Sequence, residues 1–239
     1  MFHEFERKTD IADYDRAGLM RIDSILNIFQ EAAIGHSASV GYPTETYMGI
    51  GNIWMHNKNL FKVDKLPDFK QKLVVRTWSR GIDKFRGYRN YEIIADGEKC
   101  ITGSSIWIYL NIAKRRPVRP TEDMLKRYDS EDLPVLDDRI KTLKVDEPAD
   151  EYEKIVTVRP SDFDVNGHVS NVVYGAFIDV ALQDAGVDIV NKYVSFSYMH
   201  EITPDIQEVI VRMSKTEQGH QLGIYSGDVC HCTCGVDNE

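Results

Sequence analysis

The chain has 239 residues, 42% of them hydrophobic, and its 29 basic and 38 acidic side chains give a net charge of −9. This composition suffices to bury a core and excludes a disordered chain, and the acidic balance argues against a nucleic-acid-binding protein. No apolar run reaches the roughly 20 residues that a membrane span needs. Because the charged N-terminal segment lacks the apolar stretch of a secretory signal, we expect a cytoplasmic protein.

The first half of the chain predicts a strand, a long helix and four further strands. Residues 5–14 read as extended, and residues 18–41 place their apolar side chains at helical spacing on one broad face, with Gly41 and Pro43 as stop signals. Turn signals, among them the hairpin dipeptide Asp96-Gly97, then separate four strand-like runs: 52–63, 72–79, 85–95 and 99–113.

Residues 121–150 interrupt this pattern, because they are polar and acidic and contain two prolines. They predict a short helix followed by a linker. The earlier order of elements then returns, with a strand at 152–160 and an amphipathic helix at 171–186. Four strand-like runs complete the second half: 194–202, 207–215, 221–226 and 228–236.

The two halves also match residue by residue. The segment DYDRAGLM at 13–20 aligns with DFDVNGHV at 162–169, and the aligned segments share two Asp and one Gly. A repeat this long indicates two copies of one domain, and the apolar face of each helix needs a sheet to cover it. We therefore predict an α+β fold, a tandem (double) hotdog of two strand–helix–four-strand units packed as a pseudo-dimer. The predicted divisions are an N-terminal unit at 1–125, a linker at 126–150 and a C-terminal unit at 151–239.

The second copy carries polar residues that the first copy lacks at the start of its helix. The polar residues Asn166, His168 and Asn171 align with Ala17, Leu19 and Ile22. A turn and a helix cap explain the shared residues, and a polar helix start on the surface is one explanation of the extra ones. The first copy manages without them, however, so a functional site in the second copy is the simplest interpretation.

The residue types in this segment suit the hydrolysis of an activated acyl group. The N-terminus of a helix offers free N–H groups to a developing oxyanion. His168 can transfer protons near neutral pH, Asn166 can position a water or the substrate, and Asp164 can orient its neighbours. The sequence contains no GxSxG elbow and no glycine-rich nucleotide motif, so neither a serine hydrolase of that type nor a nucleotide cofactor is expected.

The segment DVNGHVSNVVY at 164–174 resembles the active-site segment of the plant and bacterial acyl-acyl carrier protein (acyl-ACP) thioesterases, whose pattern is roughly D-x-N-x-H-V-N-N-x-x-Y. The resemblance extends to IWMHNKNLFKVDKLPDFKQKLVVRTWSRG and SSIWIYLNIAKRRPVRP in the first half. It implies a double hotdog whose active site lies in the second copy and which hydrolyses fatty acyl-ACP to a fatty acid and ACP. We expect no cofactor.

The resemblance also assigns site residues. Asp164, Asn166 and His168 match the catalytic segment of the family, and Glu201 in YMHEITPD matches its further catalytic Glu. Ile202 follows this Glu where plant members often have Cys. Further departures are Ser170, which replaces the first Asn of the usual pair, and Phe177, which stands where Trp is frequent. Because no Cys lies in the motif, we expect Glu201 to activate water directly, without an acyl-enzyme.

The first copy is expected to be catalytically silent and to build the acyl pocket. The apolar face of its helix supplies the candidate pocket residues Ile25, Ile28, Phe29 and Ala32. Asn171, in the second copy, is a further candidate substrate-binding residue. The segment KRRPVRP is basic within an acidic chain, and the carriers of this family are acidic, so Lys114, Arg115 and Arg116 are candidates for carrier docking. A solvated turn is the alternative interpretation of that segment.

Three of the four cysteines lie in VCHCTCG near the C-terminus. A metal site there would lack the paired CxxC spacing of structural zinc sites. Alternation instead places Cys230, Cys232 and Cys234 on one face of a strand, where Cys behaves as a small apolar residue. We therefore expect no metal.

Other functions remain open on the same scaffold. An acyl-CoA thioesterase would use identical chemistry, and a hydratase would show the longer motif D-x-N-P-x-H. A non-enzymatic regulator that binds acyl thioesters would not need the polar set of the second copy. The sequence leaves open the preferred acyl chain and whether the protein is a monomer or a homodimer.

Overall fold

The structure, a computed structural model, describes residues 2–149 and 152–238. The boundary predicted between linker and second unit falls on residues 150 and 151, which lie outside the described residues, as do residues 1 and 239. The first half contains β1 (His3–Lys8), α1 (Ile22–Ser39), α2 (Thr44–Ile50), β2 (Asn52–Val63), β3 (Lys72–Asp83), β4 (Arg86–Ala95), β5 (Glu98–Asn111), β6 (Arg116–Pro117), α3 (Glu122–Arg127) and α4 (Asp137–Thr142). The second half contains β7 (Tyr152–Thr157), α5 (Asn171–Asp184), β8 (Lys192–Tyr198), β9 (Glu208–Lys215), β10 (Gly219–Ser226) and β11 (Val229–Asn238).

One antiparallel sheet runs through both halves. Its strand order is β1-β3-β4-β5-β2-β8-β11-β10-β9-β7, with β6 paired to β5. The first five strands and the last five have the same order read in opposite directions, as two copies related by a pseudo-two-fold axis require. The copies join where β2 pairs with β8, from Lys58↔Ser197 to Val63↔Lys192. The predicted double hotdog is thereby confirmed, whereas the predicted division of the chain remains a prediction.

The two long helices lie against each other and against the sheet. The side chains of α1 that were predicted to form its apolar face are fully buried, and one hydrophobic core extends through both halves. The helices meet at Gly175, where an added Cβ would lie 2.9 Å from Leu26 Cδ1 and 3.0 Å from the Asp23 nitrogen. Such a close approach needs a residue without a side chain, so Gly175 sets the helix separation.

Two short helices were not predicted. Residues 44–50 form α2, which Pro43 precedes and Gly51 ends in the left-handed conformation, at a φ of 71°. Within the predicted linker, α4 follows the expected short helix α3, and its Ile140 packs into a small cluster with Leu60 and Ile106. Both helices have seven residues or fewer, too few for helical periodicity to be read.

The C-terminal cysteines lie on β11. Cys232 and Cys234 are fully buried and belong to the hydrophobic core, as small apolar residues would. Within residues 2–149 and 152–238, no group of three or more His, Cys, Asp or Glu side chains is arranged to hold a metal ion. No helix in the same ranges is long and apolar enough to cross a membrane.

Candidate active site

The same turn precedes the long helix in both copies. In the second copy Asp164 Oδ1 accepts the Asn166 N–H at 2.8 Å, and in the first copy Asp15 Oδ1 accepts the Ala17 N–H at 2.8 Å. The glycine of each turn has a left-handed backbone, with a φ of 82° at Gly167 and 79° at Gly18. The residues common to both copies are therefore structural.

The preceding Asp of each copy supports this turn from inside. Asp162 is buried, and its Oδ2 accepts the Arg159 N–H at 2.7 Å. Asp13 is likewise buried and accepts the Asp10 N–H at 2.8 Å. Because this Asp has the same role in both copies, it does not explain the polar residues that only the second copy has in its turn.

Those additional residues meet a second segment, the loop that follows β8. His168 Nε2 lies 3.9 Å from Glu201 Oε1, and both side chains are partly exposed, at 25% and 31%. A distance of 3.9 Å is longer than a direct hydrogen bond, so each atom stays available to a water or a substrate oxygen placed beside it. Two of the predicted catalytic residues, remote in sequence, thus lie side by side.

The loop that carries Glu201 is held on both sides. Val169, next to His168, donates its N–H to the main-chain oxygen of Ile202 at 3.0 Å. Tyr174 of α5 donates its hydroxyl to the main-chain oxygen of His200 at 3.2 Å. These bonds come from the turn and the helix, so the register between His168 and Glu201 is fixed by the backbone.

A third support comes from β11. His231 is buried, its Nδ1 lies 3.2 Å from the main-chain oxygen of His200, and its Nε2 lies 2.7 Å from Ser226 Oγ. Burial lowers the pKa of His231, which favours the neutral ring. In the sequence this histidine stands inside the run of three cysteines. Its role in holding the loop had no local sequence signal, because it depends on strand neighbours.

The remaining residues of the predicted set lie on or near the turn. Asn166 is exposed, and its side-chain N–H donates to Asp164 Oδ2 at 3.3 Å. Asn171 is the first residue of α5, and its main-chain oxygen accepts the Tyr198 hydroxyl at 3.4 Å. The structure therefore brings the Asp-Asn-His segment and Glu201 together at one edge of the second copy.

A residue of the first copy also reaches this site. Arg115 Nη2 donates to Glu201 Oε2 at 2.8 Å. The strand topology explains the contact: the end of β5 lies beside the start of β2, and β2 is the strand that pairs with β8. The ends of β5 and β8 therefore point to the same side. Arg115 was predicted to contact a carrier, and its contact with Glu201 was not expected.

The predicted acyl-pocket residues are packed in the core of the first copy. Phe29 stacks on Tyr91 with ring centroids 4.4 Å apart and meets Phe61 edge-on at 5.8 Å. The other three predicted residues are fully buried on the same helix face: Ile25, Ile28 and Ala32. Their role in binding an acyl chain stays a prediction.

Both halves of the chain match models of one protein family. Residues 3–128 match the acyl-ACP thioesterase N-terminal domain, and residues 145–229 match the acyl-ACP thioesterase C-terminal domain. A chloroplastic acyl-(acyl-carrier-protein) hydrolase from Cuphea viscosissima is 30% identical over 173 residues, which cover 66% of this chain and 41% of that protein. A chloroplastic palmitoyl-acyl carrier protein thioesterase from Arabidopsis thaliana is 30% identical over 188 residues, 72% of this chain and 44% of that protein.

Among solved structures, an acyl-ACP thioesterase from Bacteroides thetaiotaomicron matches with a TM-score of 0.84 at 19% identity, covering 100% of this chain and 98% of that chain. At this identity the likeness shows a shared fold. The chain spans less than half the length of the two plant relatives.

Proposed function

Because the chain belongs to the acyl-ACP thioesterase family, we propose that it hydrolyses fatty acyl-ACP to the free fatty acid and ACP. The observation that carries the proposal is the pairing of His168 Nε2 with Glu201 Oε1 at 3.9 Å on a turn whose counterpart in the first copy has Leu19 instead of His. A polar pair that only one copy contains is better explained by a functional site than by a structural requirement of the fold.

In the proposed reaction Glu201 acts as the general base. Its carboxylate takes a proton from a water while the water oxygen bonds to the thioester carbonyl carbon. The carbonyl becomes a tetrahedral oxyanion, which N–H donors at the start of α5 and the side chains of Asn166 and His168 stabilise. The oxyanion then collapses, the C–S bond breaks, and the leaving thiolate takes from Glu201 the proton that came from the water. The products are a fatty acid and the carrier thiol.

The four cysteines support direct attack by water. All four are buried and unpaired, and Ile202, which follows Glu201, is fully buried as well. Burial raises the pKa of Cys100 and Cys230, and it raises the pKa values of Cys232 and Cys234 well above the ordinary thiol value. A thiol that resists ionisation is a poor nucleophile, so a covalent acyl-enzyme is disfavoured.

The binding roles complete the proposal. The acyl chain enters the first copy along the face of α1, where Ile25, Ile28, Phe29 and Ala32 line it, and Asn171 contacts the acyl group near the site. The basic segment at 114–116 meets the acidic carrier, and the charge contrast with an otherwise acidic chain supports this assignment.

The test is a panel of acyl-ACP thioesters of different chain lengths, with release of free thiol as the readout. Wild-type protein should turn over at least one member, and Glu201→Gln should nearly abolish turnover while its melting temperature stays unchanged. The same acyl chain presented on CoA separates the carriers, and faster turnover on CoA would reassign the substrate. Binding of acyl thioesters without any turnover would replace the enzyme with a regulator.

Location and assembly are further proposals. A cytoplasmic location stays a proposal, and the two plant relatives are named chloroplastic. Each chain already contains both copies of the hotdog pair, and this supports a monomer. A homodimer of whole chains is the alternative. Cell fractionation and analytical ultracentrifugation measure these two properties.

A further inference from the structure

We propose that Arg115, supplied by the first copy, is a positioning residue for Glu201. The proposal rests on the role of Glu201 as the base, proposed above. Arg115 Nη2 donates to Glu201 Oε2 at 2.8 Å, while Glu201 Oε1 faces His168 Nε2 across 3.9 Å. One carboxylate oxygen is therefore held and the other is left for the reaction. The first copy, although it lacks the catalytic segment, would then complete the active site of the second.

The turn that carries Arg115 is anchored in the sheet. It connects the end of β5 to β6, which folds back on β5. Asn111 holds its base, because Asn111 Oδ1 accepts the Lys114 N–H at 3.0 Å and Asn111 Nδ2 donates to Asn52 Oδ1 at 2.8 Å. The guanidinium therefore extends from a fixed point and not from a free loop.

The backbone of Arg115 is itself unusual. Its φ of 46° lies in the left-handed region, which residues other than Gly, Asn and Asp seldom occupy. Such conformations persist where the surroundings hold them, and they concentrate at functional sites. Here the conformation accompanies a side chain that reaches Glu201. A glycine would fit this backbone more easily, but it would leave Glu201 Oε2 without its donor.

The contact fixes the orientation of the Glu201 carboxylate. A guanidinium fixes the direction of the carboxylate plane more tightly than an ammonium does, because its N–H groups are rigidly arranged. The same interaction raises the pKa of Arg115. A carboxylate held in one orientation keeps Oε1 directed at the site, and this acts on the rate of the reaction.

Stability and docking alone are weaker explanations of the contact. The Arg115 side chain is 77% exposed, and exposed ion pairs add little to stability. A residue used for carrier docking alone would have no need to contact the base. A positioning role predicts effects on substrates that lack a carrier, which docking does not.

The experiment uses the full chain and a small acyl thioester of N-acetylcysteamine, with kcat and KM measured separately. Arg115→Gln should lower kcat by up to about 100-fold, the loss that a misplacement of about 1 Å can cause. KM for this thioester should change much less, because the contact orients the base and does not bind the substrate. Arg115→Lys keeps a donor to Glu201 without the rigid fork, so it should recover kcat in part.

Two controls isolate the role of Arg115. Arg127→Gln removes a comparable exposed Arg–Asp pair, formed at 2.7 Å with Asp123 on α3, and should leave kcat unchanged. In a Glu201→Gln background, Arg115→Gln should have no further effect, because its partner is absent. Melting temperatures verify that every variant is folded.

The other possible outcomes separate the positioning role of Arg115 from the proposed role of Glu201 as the base. Wild-type kcat in folded Arg115→Gln would overturn the positioning role, and so would an effect confined to KM for acyl-ACP. If Glu201→Gln keeps full activity, the proposed base and the positioning role fall together. If Glu201→Gln is inactive but Arg115→Gln behaves like wild type, the positioning role alone falls.

Discussion

The N–H of Ile22, at the start of α1, donates to Asp179 Oδ2 of α5 at 2.9 Å. A carboxylate from one copy thereby caps the helix of the other, at a helix end that has free N–H groups and positive dipole potential. The same carboxyl is partly buried between the two helices, and this burial raises its pKa to about 7, although the Ile22 N–H opposes that shift. Burial and capping thus act in opposite directions on one group.

This conflict predicts a pH dependence of stability. The pKa of Asp179 is about 7 in the folded chain and about 3.9 in an unfolded one. The folded state therefore binds the proton more tightly, and the contribution to stability is fully present below about pH 4 and lost as the pH rises through 7. Asp179→Asn keeps an oxygen acceptor for Ile22 without titrating, so its stability relative to wild type should increase from pH 4 to pH 8, by at most about 4 kcal/mol.

Urea denaturation at pH 4.5 and pH 8 measures this difference. Asp129→Asn, an exposed change, serves as the control and should show no such trend. An equal effect of Asp179→Asn at both pH values would mean that Asp179 does not titrate in this range on folding.

The second prediction uses the repeat as its control. His168→Ala should lower kcat by roughly 10²–10³-fold, the usual cost of removing a side chain that stabilises the oxyanion, while the protein stays folded. Leu19→Ala changes the aligned position of the first copy, on the same type of turn, and should leave kcat unchanged. Turnover measured on acyl-ACP compares the two variants. A loss of less than about tenfold at His168 would assign it a structural role.

The features of this site that depend on neighbouring residues were predictable from the sequence. Those that depend on contacts between distant segments were not. The turn and the helix start at Asn171 follow from neighbouring residues, since Asp, Gly and the apolar spacing act within a few positions. Glu201 came from a family resemblance, because nothing in YMHEITPD itself selects one acid. The main-chain bond from Val169 to Ile202 that brings Glu201 to His168 depends on the finished sheet.

In the fold, too, local features were predictable from the sequence and long-range contacts were not. Strand alternation and the repeat predicted every main strand of both copies, and β2 begins and ends at the predicted residues. The contact of Arg115 with Glu201 was not predictable in this way, because the pairing of β2 with β8 joins segments more than a hundred residues apart. A repeat indicates that two copies pair. It does not by itself identify which turn of one copy reaches the site of the other.

The third prediction concerns the acyl pocket. Phe29→Leu should shift the preferred acyl chain toward greater length, because Phe29 lies in the core of the first copy against Tyr91. Leu is chosen because truncating a buried Phe to Ala costs about 3–5 kcal/mol of stability. Ile178→Val alters the aligned, fully buried position of α5 and should leave the profile unchanged. The acyl-ACP panel provides the readout, and an unaltered profile in Phe29→Leu would remove α1 from the pocket.

The fourth prediction concerns carrier docking. Charge reversal at Lys114 and Arg116 should raise KM for acyl-ACP and weaken its dependence on salt, because complementary charges act mainly on association. Arg115 is kept unchanged in this test, since its contact with Glu201 would alter catalysis as well. The effect on a small thioester is expected to be much smaller. Equal effects on both substrates would remove docking as the role of this turn.

The last prediction concerns the nucleophile. If Glu201 activates water, a variant with all four cysteines changed to Ala should keep its kcat within about twofold of wild type, because no covalent step is lost. Cys232 and Cys234 are fully buried, so Ala is preferable to Ser, whose hydroxyl would need a partner in the core. Folding is verified by melting temperature. Mass spectrometry of wild-type protein quenched during turnover should then find no added acyl mass. An acyl group trapped on any cysteine would replace direct hydrolysis with a two-step mechanism, and the residue carrying it would identify the nucleophile.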